Sequence, residues 1–183
     1  GAVMRRRVIV PRDWRGRRVR LRFDAIFPAG RVYVNGTLVG EHLSGLTAVE
    51  YDVTDLVTPG RAAVVAVRLL RRHRFVQMDM VRHACEFAGL AQSAWLYAVA
   101  PCHARAYHLQ TGLDGRLKTG SVAGTVTVAN TGARAGSARL TLRLLDAAGR
   151  CVARCRRSSR LQPGVERRLD VGVDVDAPAR WND

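Results

Sequence analysis

The chain has 183 residues, enough for one large domain or two small ones at ~100–150 residues each. Apolar residues make up 48% and charged residues 25%, which predicts a folded core and excludes a collagen-like or largely disordered chain. The net charge is +15, yet no apolar run reaches the ~18–20 residues of a membrane span, so a membrane is not an expected partner.

Alternation of polar and apolar residues dominates the first half of the chain. Arg18–Phe23 alternates at every position and predicts a half-buried strand, with a shorter one at 8–10. Asn35-Gly36 lies between two apolar runs and predicts a two-residue hairpin turn, because both residues tolerate a positive φ. A further strand is expected at 49–53, followed by a short helical turn capped by Thr54 and Asp55.

The apolar run at 62–70 predicts a buried strand, and residues 71–91, which have no clean period, predict a long loop of the kind that is often functional. Order resumes at 94–99, and Pro101 marks the expected domain boundary. Beyond it, short strands separated by Gly-rich turns predict an immunoglobulin-like β-sandwich. These strands are expected at 103–110, 121–130, 138–145, 151–156 and 165–175. The fold class is therefore all-β, with domains 1–100 and 101–183.

The four cysteines, Cys85, Cys102, Cys151 and Cys155, form no CxxC pair. On one strand, Cys151 and Cys155 share a face but stand ~13 Å apart, beyond disulfide reach. Free thiols in a reducing compartment are expected, which favours a cytoplasmic location. The five histidines form no ligand set, and His103 and His108 are predicted to face opposite sides of their strand.

A series of motifs stands in fixed order between residues 19 and 69. They are Val32-Tyr33-Val34-Asn35-Gly36, Val39-Gly40, Glu50-Tyr51-Asp52-Val53-Thr54 and Pro59-Gly60. This order resembles the N-terminal domain of glycoside hydrolase family 2, which includes β-galactosidases, β-glucuronidases and β-mannosidases. The resemblance implies a jelly roll of the galactose-binding type in the first domain.

Asp79-Met80 with Arg82 is similar to the family's loop Q-D-M-W-R, with Val81 in place of the Trp. The region from Pro101 resembles the entry to the family's immunoglobulin-like second domain, and 178–183 resembles the segment that leads towards its catalytic barrel. The resemblance further implies earlier strands before 5–11 and a last strand after residue 181. Open sheet edges are therefore expected near 5–10 and 165–175.

The resemblance implies a substrate-binding and metal-binding role for Asp79, which would contact galactose hydroxyls and a sodium ion in the parent enzyme. A carboxylate suits both roles, because it accepts hydrogen bonds from hydroxyls and coordinates hard cations. An ordinary loop carboxylate is the alternative. No other cofactor is expected.

Retaining glycosidases need two carboxylates ~5–5.5 Å apart. In this family both are glutamates on the barrel, so the resemblance implies that this chain alone has no catalytic residues. Glu50 and Asp52, ~7 Å apart on one strand, are the alternative pair. Solvent-facing acids of a half-buried strand are the simpler interpretation.

The favoured function is the non-catalytic N-terminal fragment of a β-galactosidase-like hydrolase. Its expected partners are a β-galactoside and the remainder of the parent enzyme, with a homo-oligomer left open. A free-standing carbohydrate-binding module is the second hypothesis, and the 6% aromatic content disfavours it. A nucleic-acid-binding protein is the third. Residues 1–98 carry 16 basic and 8 acidic side chains and 99–183 carry 14 and 7, so the charge forms no single footprint along the chain.

Overall fold

The computed structural model describes residues 2–70 and 88–179, and the chain divides into two compact units, Gly1–Ala100 and Pro101–Asp183. The described residues of each unit form two antiparallel β-sheets, which confirms the all-β fold class. Helical structure in the described residues is confined to two 3-10 turns, Arg12–Trp14 and Thr54–Leu56. No helix within these residues has the length and apolarity needed to span a membrane.

The described part of the first unit has a four-stranded and a three-stranded sheet. Its strands are β1 (Val3–Ile9), β2 (Arg18–Phe23), β3 (Gly30–Val34), β4 (Thr37–His42), β5 (Val49–Asp52), β6 (Ala62–Leu69) and β7 (Ala94–Val99). One sheet has the order β1-β6-β3-β4 and the other the order β5-β2-β7. Among the described strands, β1 therefore lies at a sheet edge, in agreement with the open edge expected near 5–10.

The core of the first unit lies between the inner faces of its two sheets. On β2, Val19, Leu21 and Phe23 point inward and are buried, whereas the arginines between them point outward. Each such side chain contributes ~1.5–3 kcal/mol when it leaves water. β6 alternates in the same way, so it is half-buried rather than buried throughout, and its Val64 is 40% exposed.

Two turns of this unit test the sequence expectations. Asn35 and Gly36 have φ of 51° and 86° and connect β3 to β4, so the hairpin prediction is confirmed. The capping interpretation of Thr54 and Asp55 is wrong. The residue at the cap position is Val53, which makes no side-chain cap, and the Asp52 carboxylate instead accepts the Thr54 N–H at 3.0 Å and its hydroxyl at 2.6 Å.

Over residues 101–179, the second unit is a sandwich of a two-stranded sheet, β10-β11, and a three-stranded sheet, β12-β9-β8. Its strands are β8 (Cys102–Leu113), β9 (Thr119–Asn130), β10 (Gly136–Leu145), β11 (Cys151–Leu161) and β12 (Glu166–Asp176). All five expected strands are present, and β11 continues five residues past the expected end at 156. The hydrophobic core of the second unit contains the buried residues Val126, Val128, Ala138, Cys155, Leu161 and Val171.

A β-bulge in β8 changes which side chains share a face. The register shifts between Ala104 and Ala106, so that His103 pairs with Ala129 and His108 with Thr125. Those two partners are four residues apart on β9 and share a face. The prediction that His103 and His108 face opposite ways is therefore wrong, because the extra residue of the bulge reverses the parity.

The thiols of Cys102, Cys151 and Cys155 are free, as expected, and Cys85 lies outside the described residues. Cys155 is buried in the core of the second unit, whereas Cys151 is exposed. Within residues 2–70 and 88–179 no group of three His, Cys, Asp or Glu side chains is placed to hold a metal ion.

Candidate functional site

The candidate sugar-binding and metal-binding residue, Asp79, lies outside the described residues, as do Arg82, His73 and His83. The described chain on either side of 71–87 is anchored to one short segment, 24–29. The Leu70 N–H donates to Ala29 O at 2.9 Å, and Phe27 and Gly89 exchange two backbone hydrogen bonds of 2.8 Å. The chain therefore leaves and re-enters the described structure beside this segment.

The outer face of the β5-β2-β7 sheet also begins at this segment. Backbone register places Arg22 between Glu50 and Trp95, and Arg20 between Asp52 and Tyr97. Two rows of charged and aromatic side chains therefore cross the three strands. We call this set, together with Asp24 and Arg18, the polar face of the first unit.

Asp24 holds the end of the polar face together. Its carboxylate accepts the Arg22 Nε–H at 2.7 Å through one oxygen and the Trp95 indole N–H at 2.7 Å through the other. These two hydrogen bonds, with Arg22 the stronger cause, hold the pKa of Asp24 below its ordinary value. The indole is fixed at its edge while the side chain of Trp95 stays 54% exposed, so its ring is available to a ligand.

Asp52 connects β5 to β2 at the opposite end. Burial raises its pKa, but hydrogen bonds from Thr54 and from Arg18 more than offset this, so the pKa of Asp52 lies below its ordinary value. Arg18 donates to the carboxylate through Nη2 at 2.6 Å, and Arg20 Nη1 lies 3.5 Å from the same oxygen. The Asp52 carboxylate is therefore ionised at neutral pH and neutralised by two guanidiniums.

Tyr97 spans the sheet between these two ends. Its hydroxyl donates to the Glu50 carboxylate across β2. Burial and this hydrogen bond raise the pKa of Tyr97 to about 12, so the phenol is a donor at physiological pH. Glu50 and Asp52 each have such partners, which confirms that they are outward-facing acids of a half-buried strand.

The polar face offers an exposed aromatic ring beside carboxylates and guanidiniums, the groups that recognise sugar C–H faces and hydroxyls. The sequence signal for it was the alternation of Trp95 and Tyr97 on β7. No sequence pattern indicates Asp24, because it lies between β2 and β3 and only the folded chain brings it to the indole of Trp95.

A family model described as the sugar binding domain of glycosyl hydrolases family 2 matches residues 1–99. The chain belongs to glycoside hydrolase family 2. It is 30% identical over 98 residues to a β-galactosidase of Thermoanaerobacter pseudethanolicus, an alignment that covers 51% of this chain and 13% of that protein. A β-galactosidase of Halalkalibacterium halodurans is 22% identical over 173 residues, covering 94% of this chain and 16% of the relative.

Among solved structures, a family 2 β-glucuronidase superimposes with a TM-score of 0.87 at 18% identity, covering 98% of this chain and 20% of that one. That likeness extends the family 2 fold over both units and confirms the jelly-roll expectation. The chain thus spans less than a quarter of the length of each of these three relatives and corresponds to their N-terminal part.

Proposed function

We propose that this chain is the non-catalytic, sugar-recognising N-terminal part of a β-galactosidase-like family 2 glycoside hydrolase. The observation that carries the proposal is the match of the family's sugar binding domain to residues 1–99. The pairing of both acids on the exposed side of β5 supports it, because the Glu50 carboxylate accepts the Tyr97 hydroxyl and the Asp52 carboxylate is ion-paired with Arg18.

The chain alone is expected to lack glycosidase activity. The test is a chromogenic β-galactoside assay on purified chain, with an equal preparation from host cells lacking the gene as the control. Turnover that persists after host enzyme has been removed contradicts the proposal.

Within such a hydrolase, Asp79 supplies the substrate contact and a sodium ligand. In a glycosidase that contains this chain, Asp79→Ala is expected to lower turnover of a β-galactoside by roughly 10–150-fold, the equivalent of one charge-assisted hydrogen bond. It is also expected to remove any dependence of the rate on sodium. Asp55→Ala, which removes an exposed carboxylate of the second 3-10 turn, is the matched control, and equal kinetics in the two variants contradict this role for Asp79.

A second candidate function is direct sugar binding by the polar face, as in a free-standing carbohydrate-binding module. The exposed ring of Trp95, held at its edge by Asp24, is the observation that favours it. An NMR titration with methyl β-D-galactoside tests it. Trp95→Ala is expected to abolish the shifts, and Trp95→Phe, which keeps a ring, is expected to retain part of them. Wild-type shifts in Trp95→Ala contradict this function.

A further inference from the structure

The outer face of the β10-β11 sheet concentrates positive charge. Residues alternate along both strands, so that Ala138, Leu140, Leu142 and Cys155 pack into the core and the residues between them point outward. We define the arginine face as the exposed outward residues Arg139, Thr141, Arg143, Arg154, Arg156, Ser158 and Arg160. The face therefore places five arginines and two hydroxyls on one surface.

Among the described residues, no acidic side chain forms an ion pair with these arginines. Neither β10 nor β11 contains an acidic residue. Within residues 2–70 and 88–179, the ion pairs found include none of the five. Arg143 and Arg154 lie directly opposite each other in the register, a like-charge arrangement that destabilises a sheet.

An arginine-rich composition alone does not explain this surface. β12 belongs to the other sheet of the same unit, and its inward side is set by Leu169, Val171 and Val173. Its outward side carries four acids and one arginine, namely Glu166, Arg168, Asp170, Asp174 and Asp176. Two outer strand surfaces of one unit thus have opposite charge.

The centre of the arginine face is a shallow depression of about 440 Å³. Arg139 lies opposite Ser158, and Thr141 lies opposite Arg156, so guanidiniums and hydroxyls alternate around one square of the sheet. Arg157 lies opposite Leu140 in the register but also lines this depression, and its guanidinium donates to Asp170 O at 3.0 Å and Arg156 O at 2.9 Å. Arginine forks and hydroxyl donors are the groups that bind carboxylate or sulfate oxygens.

The dimensions of the face limit its ligand. From Arg154 to Arg160 the stripe is roughly 20 Å long, and it is two strands, or about 5 Å between backbones, wide. This shape suits a single extended polymer rather than the two backbones of a duplex. Neither strand contains an aromatic residue. The ring platforms on which single-stranded nucleic acids stack their bases are therefore missing from the face.

We infer that the arginine face binds a linear acidic glycan, whose carboxylates or sulfates lie along the stripe of arginines. This site lies in the second unit and goes beyond the proposed function, which concerns the first. Its failure would leave the galactoside experiments unaffected.

The test measures binding of the full chain to polygalacturonate oligosaccharides, which carry carboxylates, and to heparin oligosaccharides, which carry sulfates. We expect binding to at least one of them, no binding to neutral dextran, and an affinity that falls as salt rises. The Arg139→Gln/Arg156→Gln double variant is expected to lose about tenfold or more in affinity. The matched control is the Arg116→Gln/Arg134→Gln variant, which loses the same two positive charges as the first double variant but from two turns outside the arginine face. It is expected to bind like wild type.

A single variant separates ligand binding from fold stability. Arg143→Glu replaces the like-charge pair with Arg154 by an opposite-charge pair, so Tm is expected to rise by about 2–4 °C. The same variant is expected to bind the glycan more weakly, so that stability and affinity change in opposite directions.

Three results would overturn the inference. They are the absence of binding to both acidic glycans at low salt, an equal loss of affinity in the turn variant, and tighter binding to duplex DNA or oligo(dT) than to either glycan at matched salt. The last result would assign the face to nucleic acid instead.

Discussion

At the scale of single residues, Asn35 does more than form a turn. Its φ of 51° lies in the left-handed region, which Asn adopts more readily than most residues. Its Nδ2 donates to Leu56 O at 2.7 Å, and its Oδ1 accepts the Val64 N–H at 2.8 Å. Asn35 therefore joins the β3–β4 hairpin to β6 and to the second 3-10 turn.

Asn35→Ala is expected to lower the free energy of unfolding by about 2–4 kcal/mol, through two lost hydrogen bonds and the strain of a left-handed alanine. Urea denaturation measures the change. Asn35→Asp keeps the acceptor for Val64 and is expected to lose less. An alanine variant within about 0.5 kcal/mol of wild type would contradict this role.

The burial of His42 predicts that the stability of the first unit depends on pH. It is 7% exposed at the end of β4, and its Nε2 lies 3.5 Å from Thr47 Oγ1. Burial lowers the pKa of His42, and a hydrogen bond with the backbone of Thr47 opposes this only in part. Because the folded pKa lies below the unfolded value of ~6.5, its contribution is complete above that pH and is lost as pH falls towards the folded pKa.

The urea concentration at the unfolding midpoint is therefore expected to decrease as the pH is lowered from about 7.5 to 5.5, the range in which histidine titrates. His42→Gln is expected to flatten this dependence. His108→Gln, altered at an exposed histidine, is expected to keep the wild-type slope. A slope in His42→Gln equal to that of wild type would exclude His42 as its origin.

At the scale of elements, alternation in the sequence predicts where strands lie, but it does not predict which strands pair or in what register. β2 and β7 are read directly from the period of two, because one face of each packs on a core. β11 extends to Leu161, through an Arg and Ser run with no apolar period, because pairing with β10 continues to Gly136. The bulge in β8 depends on tertiary pairing, and no sequence pattern indicated it.

The charged surfaces likewise depend on which strands are neighbours, and the sequence alone does not predict this. Counts of basic and acidic residues are even along the two halves of the chain, but strand alternation sorts them onto separate faces. The arginine face forms because Arg139 and Arg143 meet Arg154 and Arg156 across one hairpin, a consequence of register that a count ignores. The role of Asp79 stays a prediction from the resemblance.

Thr54 shows how one hydroxyl connects two strands. Its Oγ1 accepts the Val19 N–H at 2.9 Å and donates to Asp52 Oδ1 at 2.6 Å. Thr54→Val keeps the shape but leaves the partly buried Val19 N–H without this acceptor, so a loss of about 1–3 kcal/mol is expected. Thr54→Ser restores the hydroxyl and is expected to lie near wild type in urea denaturation. A loss in Thr54→Ser as large as that in Thr54→Val would show that the hydroxyl is not the origin of the effect.

At the scale of the whole molecule, exposed apolar surface and net charge have opposite effects on association between copies of the chain. In the part of the first unit that the structure describes, β1 lies at a sheet edge, and its inner side borders an apolar depression of about 400 Å³. Met4, Val8, Leu90 and Leu96 are among its lining residues. Unpaired edges and apolar patches favour association between copies, whereas a net charge of +15 keeps copies apart.

The isolated chain is therefore expected to self-associate, and to do so more strongly as salt screens the charge. Sedimentation over a wide range of protein and salt concentrations measures this. Met4→Arg, which places a charge in the depression, is expected to weaken the association, whereas Leu46→Arg makes the same charge change in an exposed loop and is expected to have little effect. A chain that stays monomeric at high salt and melts cooperatively above ~65 °C, beyond the usual mesophile range, would show that the open edge and depression do not limit its stability.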